Sequence, residues 1–215
     1  DTIYKFERKE AQKIVINYKN EVPEFNLRNN WKKIEGLFPN NRPIKFAFVK
    51  DLEDPYYNQI IYAPILTYNV YDGLSPGMRF HNRAILNRPF VYDINPTYSI
   101  KSETITGSAI FMVNKDYRNS NLFNVRYSLS GNYFHYAPDA TYLKLNPMVL
   151  MQIRGDNFRD NRKRLIYARQ VIVDRQKSAI VIDNSLEDYS VFNVKYINSR
   201  TEVTNLFSFT GDVQF

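Results

Sequence analysis

The chain has 215 residues, of which 44% are hydrophobic, 24% charged and 15% aromatic, and its formal net charge is +7. This composition excludes a disordered chain, and no apolar run approaches the roughly 18 residues that a membrane-spanning helix needs. The absence of cysteine excludes disulfides and thiolate metal sites. Lysines and arginines are scattered along the chain, so the positive charge indicates a solvated surface and gives no support for a nucleic-acid partner.

The N-terminal segment, residues 1–20, is predicted to be a β-hairpin. TIYKFE (2–7) and KIVINY (13–18) have the composition of strands, and a charged turn separates them. We interpret this hairpin as the closing element of a β-sandwich-like domain that lies mostly upstream. The chain starts at Asp1 without a methionine and stops at Phe215 inside an alternating pattern, so we expect a partial chain.

Residues 21–59 are predicted to form a connector. WKKIEGLF (31–38) has the pattern of a short helix, and the following proline helps to end it. PIKFAFVKD (43–51) is a possible further strand. The connector would place the upstream domain next to the segment that follows.

From residue 60 to residue 215 the sequence predicts about nine strands of roughly 10 to 14 residues. They are 60–71, 77–86, 90–101, 104–114, 122–135, 141–154, 164–174, 189–198 and 204–215. A usual globular strand has about 5 to 6 residues, whereas a tilted membrane-spanning strand needs about 9 to 11. The expected fold is therefore all-β, an antiparallel transmembrane β-barrel of which about nine strands, an odd number, are visible.

The stretch FVYDINPTYSIK (90–101) illustrates the alternation in these strands. Every second residue is apolar or aromatic, and the residues between them are polar except for Val91. Successive side chains of a strand point to opposite faces, so each strand has one apolar and one polar face. Strand 164–174 has no clean face, because Arg169 lies among Leu165, Tyr167, Val171 and Val173, and we expect this strand to be shifted or flared. A lipid-facing arginine at the bilayer midplane costs about 2 to 4 kcal/mol.

Loop lengths agree with this parity. In strands 77–86 and 90–101 the apolar residues have even numbers, which agrees with the three-residue loop 87–89 between them. In strand 104–114 the apolar residues have odd numbers, which agrees with the two-residue loop Ser102 and Glu103. Pairing Leu86 with Phe90 would place Arg83 opposite Asp93, and we predict an ion pair there. GLSPG (73–77) is interpreted as a turn.

The two faces define the candidate site residues. Serine, threonine, asparagine and isolated arginine dominate the polar faces, where a soluble sheet would carry many lysines and glutamates. The predicted lumen-facing polar set is Arg79, His81, Arg83, Asp93, Asn95, Lys101, Asn124, Arg126, Lys144 and Arg154. The predicted lipid-facing aromatic set is Phe80, Phe90, Tyr92, Tyr98, Phe111, Tyr127 and Tyr133. We interpret the polar set as a filled, salt-bridged interior; the alternative is a pore or a site for an anionic group.

Several segments resemble a bacterial outer-membrane protein family in which a zinc aminopeptidase-like (gluzincin) domain precedes a β-barrel. YNQIIYAPILTYNVYDGLSPGMRFHNRAILNRPFVYDINPTYSIKSETITGSA, NVRYSLSGNYFHYAPDATYLKLNP and NFRDNRKRLIYARQVIVDR are similar to its C-terminal barrel region. VPEFNLRNNWKKIEGLF and IKFAFVKDLEDPYYNQ are similar to its connector. The resemblance implies an outer-membrane location, lipid as partner, and zinc only in an upstream domain.

The family's catalytic chemistry has no counterpart here. An HExxH motif is absent, and the two histidines, His81 and His135, lack a following glutamate. Two neighbouring arginines disfavour a metal at His81, and His135 is expected to pack in a turn. Asp156, Asp160 and Asn161 suggest Ca²⁺, but their spacing does not match an EF-hand and turn chemistry explains them.

Three functions remain open. The first is a non-catalytic barrel that anchors an aminopeptidase-like protein in the outer membrane. The second is a scaffold subunit of a larger outer-membrane complex, in contact with other outer-membrane proteins, whose peptidase domain is degenerate. The third is a soluble β-sandwich module that binds carbohydrate or peptide.

Overall fold

The computed structural model describes residues 5, 7, 9–34, 42–50, 54–84, 88–117, 120–155, 161–181 and 188–215. Within these residues no helix has the length and apolar character required to cross a bilayer. The only helical element among them is a three-residue 3-10 turn, and twelve strands make up the remaining regular structure. The all-β prediction is therefore confirmed.

A two-stranded antiparallel ribbon lies at the start of the chain. β1 (Lys13–Val15) pairs with β2 (Trp31–Lys33), and flanking hydrogen bonds such as Ile34 N to Gln12 O at 2.9 Å extend the pairing. The predicted helix at 31–38 is thus wrong at its start, because these backbone groups bond to another strand, and most of the remainder lies outside the described residues. The sequence predicted that 13–18 pairs with 2–7 in a hairpin, but β1 pairs with β2 instead. Most of 2–7 lies outside the described residues.

The main element is a ten-stranded sheet whose strand order follows the chain. Its strands are β3 (Ile44–Phe48), β4 (Asn58–Asn69), β5 (Gly73–His81), β6 (Phe90–Ser99), β7 (Thr104–Asp116), β8 (Leu122–Ala137), β9 (Ala140–Ile153), β10 (Lys163–Arg175), β11 (Tyr189–Thr201) and β12 (Leu206–Gln214). β3 is parallel to β4, and every later neighbour is antiparallel. Within the described residues β3 and β12 are not bonded to each other, so a closed ring is not seen.

The strands have two sets of ends, which we name separately. The connector rim is the end where β3, β4 and β6 begin and β5 finishes; the turn rim is the opposite end, with the turns 70–72, 100–103 and 138–139. β7, β9 and β11 finish at the connector rim because neighbours are antiparallel. Connector residues therefore meet the sheet at one rim.

The register corrects two sequence predictions without changing the faces. GLSPG is not a turn but the first five residues of β5. His81 lies opposite Asp93, a two-residue shift from the predicted pairing of Arg83 with Asp93, and Ser99 pairs with Thr104 across a four-residue turn. A shift of two residues preserves the face of every side chain.

Glycines allow β6 to approach both of its neighbours closely at Pro96. A Cβ on Gly77 would lie 2.2 Å from the Pro96 carbonyl oxygen, and one on Gly107 would lie 2.1 Å from the Asn95 oxygen. Gly107 also has φ +142°, a conformation that other residues rarely adopt. These two glycines therefore explain why turn-type residues occur within long strands.

Candidate functional site

One face of the ten-stranded sheet, the polar face, carries buried polar side chains. Ser75, Asp93, Thr97, Ser99 and Thr106 are each less than 8% exposed. Further along the sheet the same face continues through Asn114, Asn124 and Asn193, which are also buried. The four hydroxyls are hydrogen-bonded to one another, and Asp93 and the three asparagines bond to other polar groups, as expected for buried polar groups.

The opposite face, the apolar face, is exposed. The register places all seven residues of the predicted aromatic set on it, with neighbours such as Tyr92 beside Phe111 and Val113 beside Tyr127. Ile105 is 70% exposed, Tyr98 51% and Leu129 46%. Among the described residues the other regular elements are the small β1–β2 ribbon and the 3-10 turn, and no second large sheet packs on this face.

This distribution reverses that of a soluble protein. Few large hydrophobic residues are buried among the described part of the chain; the buried hydrophobics are Ala47, Ile61, Val125, Ala137, Ala140 and Val173. Exposed apolar patches of this extent mark interaction with a partner or a membrane. The apolar face is therefore the principal candidate site for contact with another apolar phase.

An ion cluster occupies the polar face at β5 and β6. Arg79 donates two hydrogen bonds to the Asp93 carboxylate, at 2.9 Å from Nε and 2.6 Å from Nη2. Arg83 Nε lies 3.1 Å from the same carboxylate, so the predicted ion pair is confirmed, although Arg83 follows the end of β5. Asp93 therefore neutralises two cations, which disfavours the recruitment of an anionic group by this cluster.

A chain of hydroxyl groups continues this face toward the turn rim. Ser75 Oγ bonds to Ser99 Oγ at 3.1 Å, Ser99 Oγ to Thr106 Oγ1 at 2.9 Å, and Thr106 Oγ1 to Thr97 Oγ1 at 2.9 Å. These bonds connect β5, β6 and β7 through side chains as well as through the backbone.

At the turn rim, Asp72 joins elements that are distant in sequence. Its carboxylate accepts the His135 N–H at 3.0 Å and the Ser102 hydroxyl at 2.8 Å, and it lies 2.6 Å from His135 Nδ1. Burial raises the pKa of Asp72, but the hydrogen bonds from His135 and Ser102 outweigh it and the net pKa is below its ordinary value. The sequence analysis missed Asp72, whose partner His135 is 63 positions away.

Other members of the predicted polar set lie elsewhere or have different partners. Asn95 bonds Ser108, Arg126 bonds Asn114, and Lys144 pairs with Asn132, all on the polar face. Lys101 instead lies exposed in the β6–β7 turn and donates to Val70 O at 2.9 Å. Arg154 follows the end of β9, with its guanidinium 5.1 Å from the centre of the Phe123 ring.

The register also resolves the misfit of strand 164–174. Arg169 pairs with Met148 and Asn193, residues of the polar face, so β10 places Arg169 on the polar face and Ile172 on the apolar face. The residues that share the face of Arg169 are Leu165, Tyr167, Val171 and Val173, so this part of the polar face is itself largely apolar.

No group of three or more metal-ligating side chains occurs among the described residues. Asp156 and Asp160 lie outside the described residues, and Asn161 donates to Thr201 O at 3.4 Å. His81 lies near Arg79, Arg83 and Asp93.

The sequence analysis also missed a group of arginines at the connector rim. Arg42 and Arg88 are each more than nine-tenths buried, and each precedes a proline at the start of a strand, β3 or β6. The signal is visible in the sequence as a repeated Asn-Arg-Pro tripeptide, at 41–43 and 87–89. The residue before a proline is held extended, which fixes the direction of both arginines relative to their strands.

Comparison of the chain with family models, with curated proteins and with solved structures finds no match.

Proposed function

We propose that this chain is the membrane-embedded wall of a bacterial outer-membrane β-barrel, and that it anchors an aminopeptidase-like protein without catalytic activity of its own. The observation that carries the proposal is the reversed burial of the strands, with a buried polar face and an exposed apolar face. In water, an uncovered apolar face of this size leads to aggregation, whereas hydrocarbon covers it at no cost.

Strand length supports the same proposal. β7 to β11 have 13 to 16 residues each. A tilted strand of about 9 to 11 residues crosses the hydrocarbon region, so each of these strands spans it with residues left over at both rims. The exposed aromatics Phe90 and Tyr98 lie at opposite ends of β6, as expected for aromatic girdles at the two interfaces.

A second candidate, a scaffold subunit of a larger outer-membrane complex, is favoured by the edges of the sheet. Within the described residues β3 and β12 each have one neighbour only. An unpaired strand edge presents free backbone donors and acceptors, which a bilayer core cannot satisfy. Another strand, from this protein or from a partner, would pair with them.

Spin labels on neighbouring residues of β8 test the membrane proposal. Because the chain has no cysteine, single cysteines can be placed at Tyr127 and Leu129 on the apolar face and at Ser128 and Ser130 on the polar face. In liposomes, labels at 127 and 129 should be accessible to oxygen and protected from a water-soluble nickel chelate. Labels at 128 and 130 should be less accessible to oxygen.

Two outcomes would reject the membrane proposal. One is equal nickel access at all four positions. The other is a chain that stays monomeric in plain buffer with the labels at 127 and 129 immobilised, which would support the soluble sandwich module.

A further inference from the structure

A cavity of about 750 Å³ lies at the connector rim, between the connector and the first strands of the sheet. Its described lining residues include four cations and no aspartate or glutamate. The cations are Arg28, Lys32, Arg42 and Arg88. A cavity with this charge is complementary to an anion.

Arg42 is the most informative of the four. It is 7% exposed, its Nη2 donates to Arg28 O, and its guanidinium lies 4.5 Å from the centre of the Trp31 ring. Its Nε–H is buried without a partner, as is the indole N–H of Trp31. Burial, and then the nearby charge of Arg88, lower the pKa of Arg42. A buried donor without an acceptor costs about 1 to 3 kcal/mol, so the site is incomplete as it stands.

The connector side of the cavity is held firmly. Arg28 donates to Tyr57 O at 2.9 Å, to Asp54 O at 3.1 Å and to Asn58 Oδ1 at 3.1 Å. These bonds connect the 3-10 turn Leu27–Asn29 to the segment that enters β4. The cationic wall is therefore built on fixed backbone.

The other wall of the cavity is apolar. It includes Ile60, Phe90 and Tyr92, which belong to the apolar face at the beginnings of β4 and β6. The cavity thus borders both a cationic wall and the surface that we assign to hydrocarbon. An amphiphile with an anionic head would contact both.

We propose that this cavity binds the phosphate group of an anionic lipid, whose acyl chains lie along the apolar face. The Arg42 guanidinium, whose Nε–H has no acceptor, would contact the phosphate oxygens, and arginine suits this role because its planar donors match phosphate geometry. The inference rests on the proposed membrane location, since only there does a lipid phosphate lie at the rim of the sheet.

The test measures the thermal unfolding midpoint of the intact chain in zwitterionic micelles. Three probes are added in turn: phosphatidylglycerol, phosphatidylcholine and inorganic phosphate. We expect phosphatidylglycerol to raise the midpoint in a saturable way, and the other two to leave it unchanged at equal concentration. Folding in the micelles before any addition reports on the membrane proposal, and the phosphatidylglycerol increment reports on the site.

Variants separate a defined site from general attraction between charges. Arg42→Ala should weaken the apparent affinity for phosphatidylglycerol about tenfold or more, which is about 1.4 kcal/mol. Lys177→Ala also removes one positive charge, but at the turn rim, at the opposite end of the sheet from the cavity. It should leave the affinity for phosphatidylglycerol unchanged. Arg42→Lys keeps the charge and loses the Nε–H, so it provides a folded variant with reduced affinity if the alanine variant does not fold.

Three results would overturn the inference while the membrane proposal stands. They are a chain that folds in micelles without any phosphatidylglycerol increment, equal losses in the Arg42 and Lys177 variants, and equal binding of inorganic phosphate, which would indicate a small-anion site. Failure to fold in any micelle would instead reject the membrane proposal.

Discussion

Asp93 is the residue on which the charge balance of the polar face depends. It accepts two hydrogen bonds from Arg79 and lies within ion-pair distance of Arg83, with only 6% of its side chain exposed. Replacing it removes the counter-charge of both arginines at once. The two cations are partly exposed, so water moderates the penalty.

We therefore predict that Asp93→Asn lowers the free energy of unfolding by about 2 kcal/mol. Arg79→Ala should lower the free energy of unfolding more than Arg83→Ala. Arg79 donates two hydrogen bonds to Asp93, whereas Arg83 approaches Asp93 Oδ2 only with Nε, at 3.1 Å. Guanidinium unfolding in micelles, followed by circular dichroism, measures all three. Equal effects of the two arginine variants would contradict the geometry.

Asp72 provides a second prediction, with a pH dependence. Asp72→Asn places an amide donor against donors from His135 and Ser102, and should cost about 2 kcal/mol at neutral pH. Because the pKa of Asp72 is lowered in the folded state, its stabilisation is complete above a pH of about 3.9 and is lost as the pH falls through the folded value.

The stability difference between wild type and Asp72→Asn should accordingly stay constant down to a pH of about 4 and shrink below it. Asp174→Asn, which removes a charge from an exposed position, is the control and should show little effect. A difference that disappears near neutral pH would point to a histidine as the titrating group. The measurement is the unfolding midpoint across pH.

At the scale of elements, the pairing of β5 with β6 depends on the absence of a side chain at Gly77. Gly77→Ala should cost about 1 to 3 kcal/mol, because the new Cβ would meet the Pro96 carbonyl oxygen at 2.2 Å and the backbone must shift. Gly211→Ala is the matched control, since its Cβ would meet only the Phe209 ring at 3.8 Å. The measurement is the unfolding midpoint. Equal shifts in the Gly77 and Gly211 variants would contradict a close approach of β6 to Gly77.

Much of the strand pattern is predictable from the sequence, because alternation with period two survives single exceptions. Each of the nine predicted strands overlaps a strand of the sheet, although the one predicted at 77–86 begins at Gly73 and ends at His81, and the apolar parity of β5 to β9 and β12 is as expected. The start of β5 was not predictable, because Gly73 and Gly77 are turn residues by composition. The structure explains Gly77, because the Pro96 carbonyl oxygen of β6 leaves no room for a Cβ at that position.

The connector was harder to predict for a different reason. Trp31, Ile34 and Leu37 have helical spacing, yet Trp31 pairs with Val15 in the β1–β2 ribbon. Local periodicity carries no information about a partner sixteen residues away, and tertiary pairing overrides propensity in such short segments. For the same reason the sequence did not suggest that Arg42 lies over Trp31.

For the whole molecule, the central question is which phase covers the apolar face. In a bilayer, Leu129→Arg should cost about 2 to 4 kcal/mol, since it places a cation in hydrocarbon. In water the same exposed position would tolerate the change within about 0.5 kcal/mol. Asn132→Glu, which places a charge at an exposed polar-face position of β8 opposite Lys144, is the control and should be tolerated. Unfolding in liposomes or micelles distinguishes the two cases.

The direction of the strands has a consequence for how the sheet could become a cylinder. β3 runs parallel to β4, and eight antiparallel steps then bring β12 back to the same direction. A seam made directly between β3 and β12 would therefore be a parallel one, without a hairpin and with slanted hydrogen bonds. Such a seam would share the slanted parallel pairing of β3 with β4, and an additional strand could be inserted there instead.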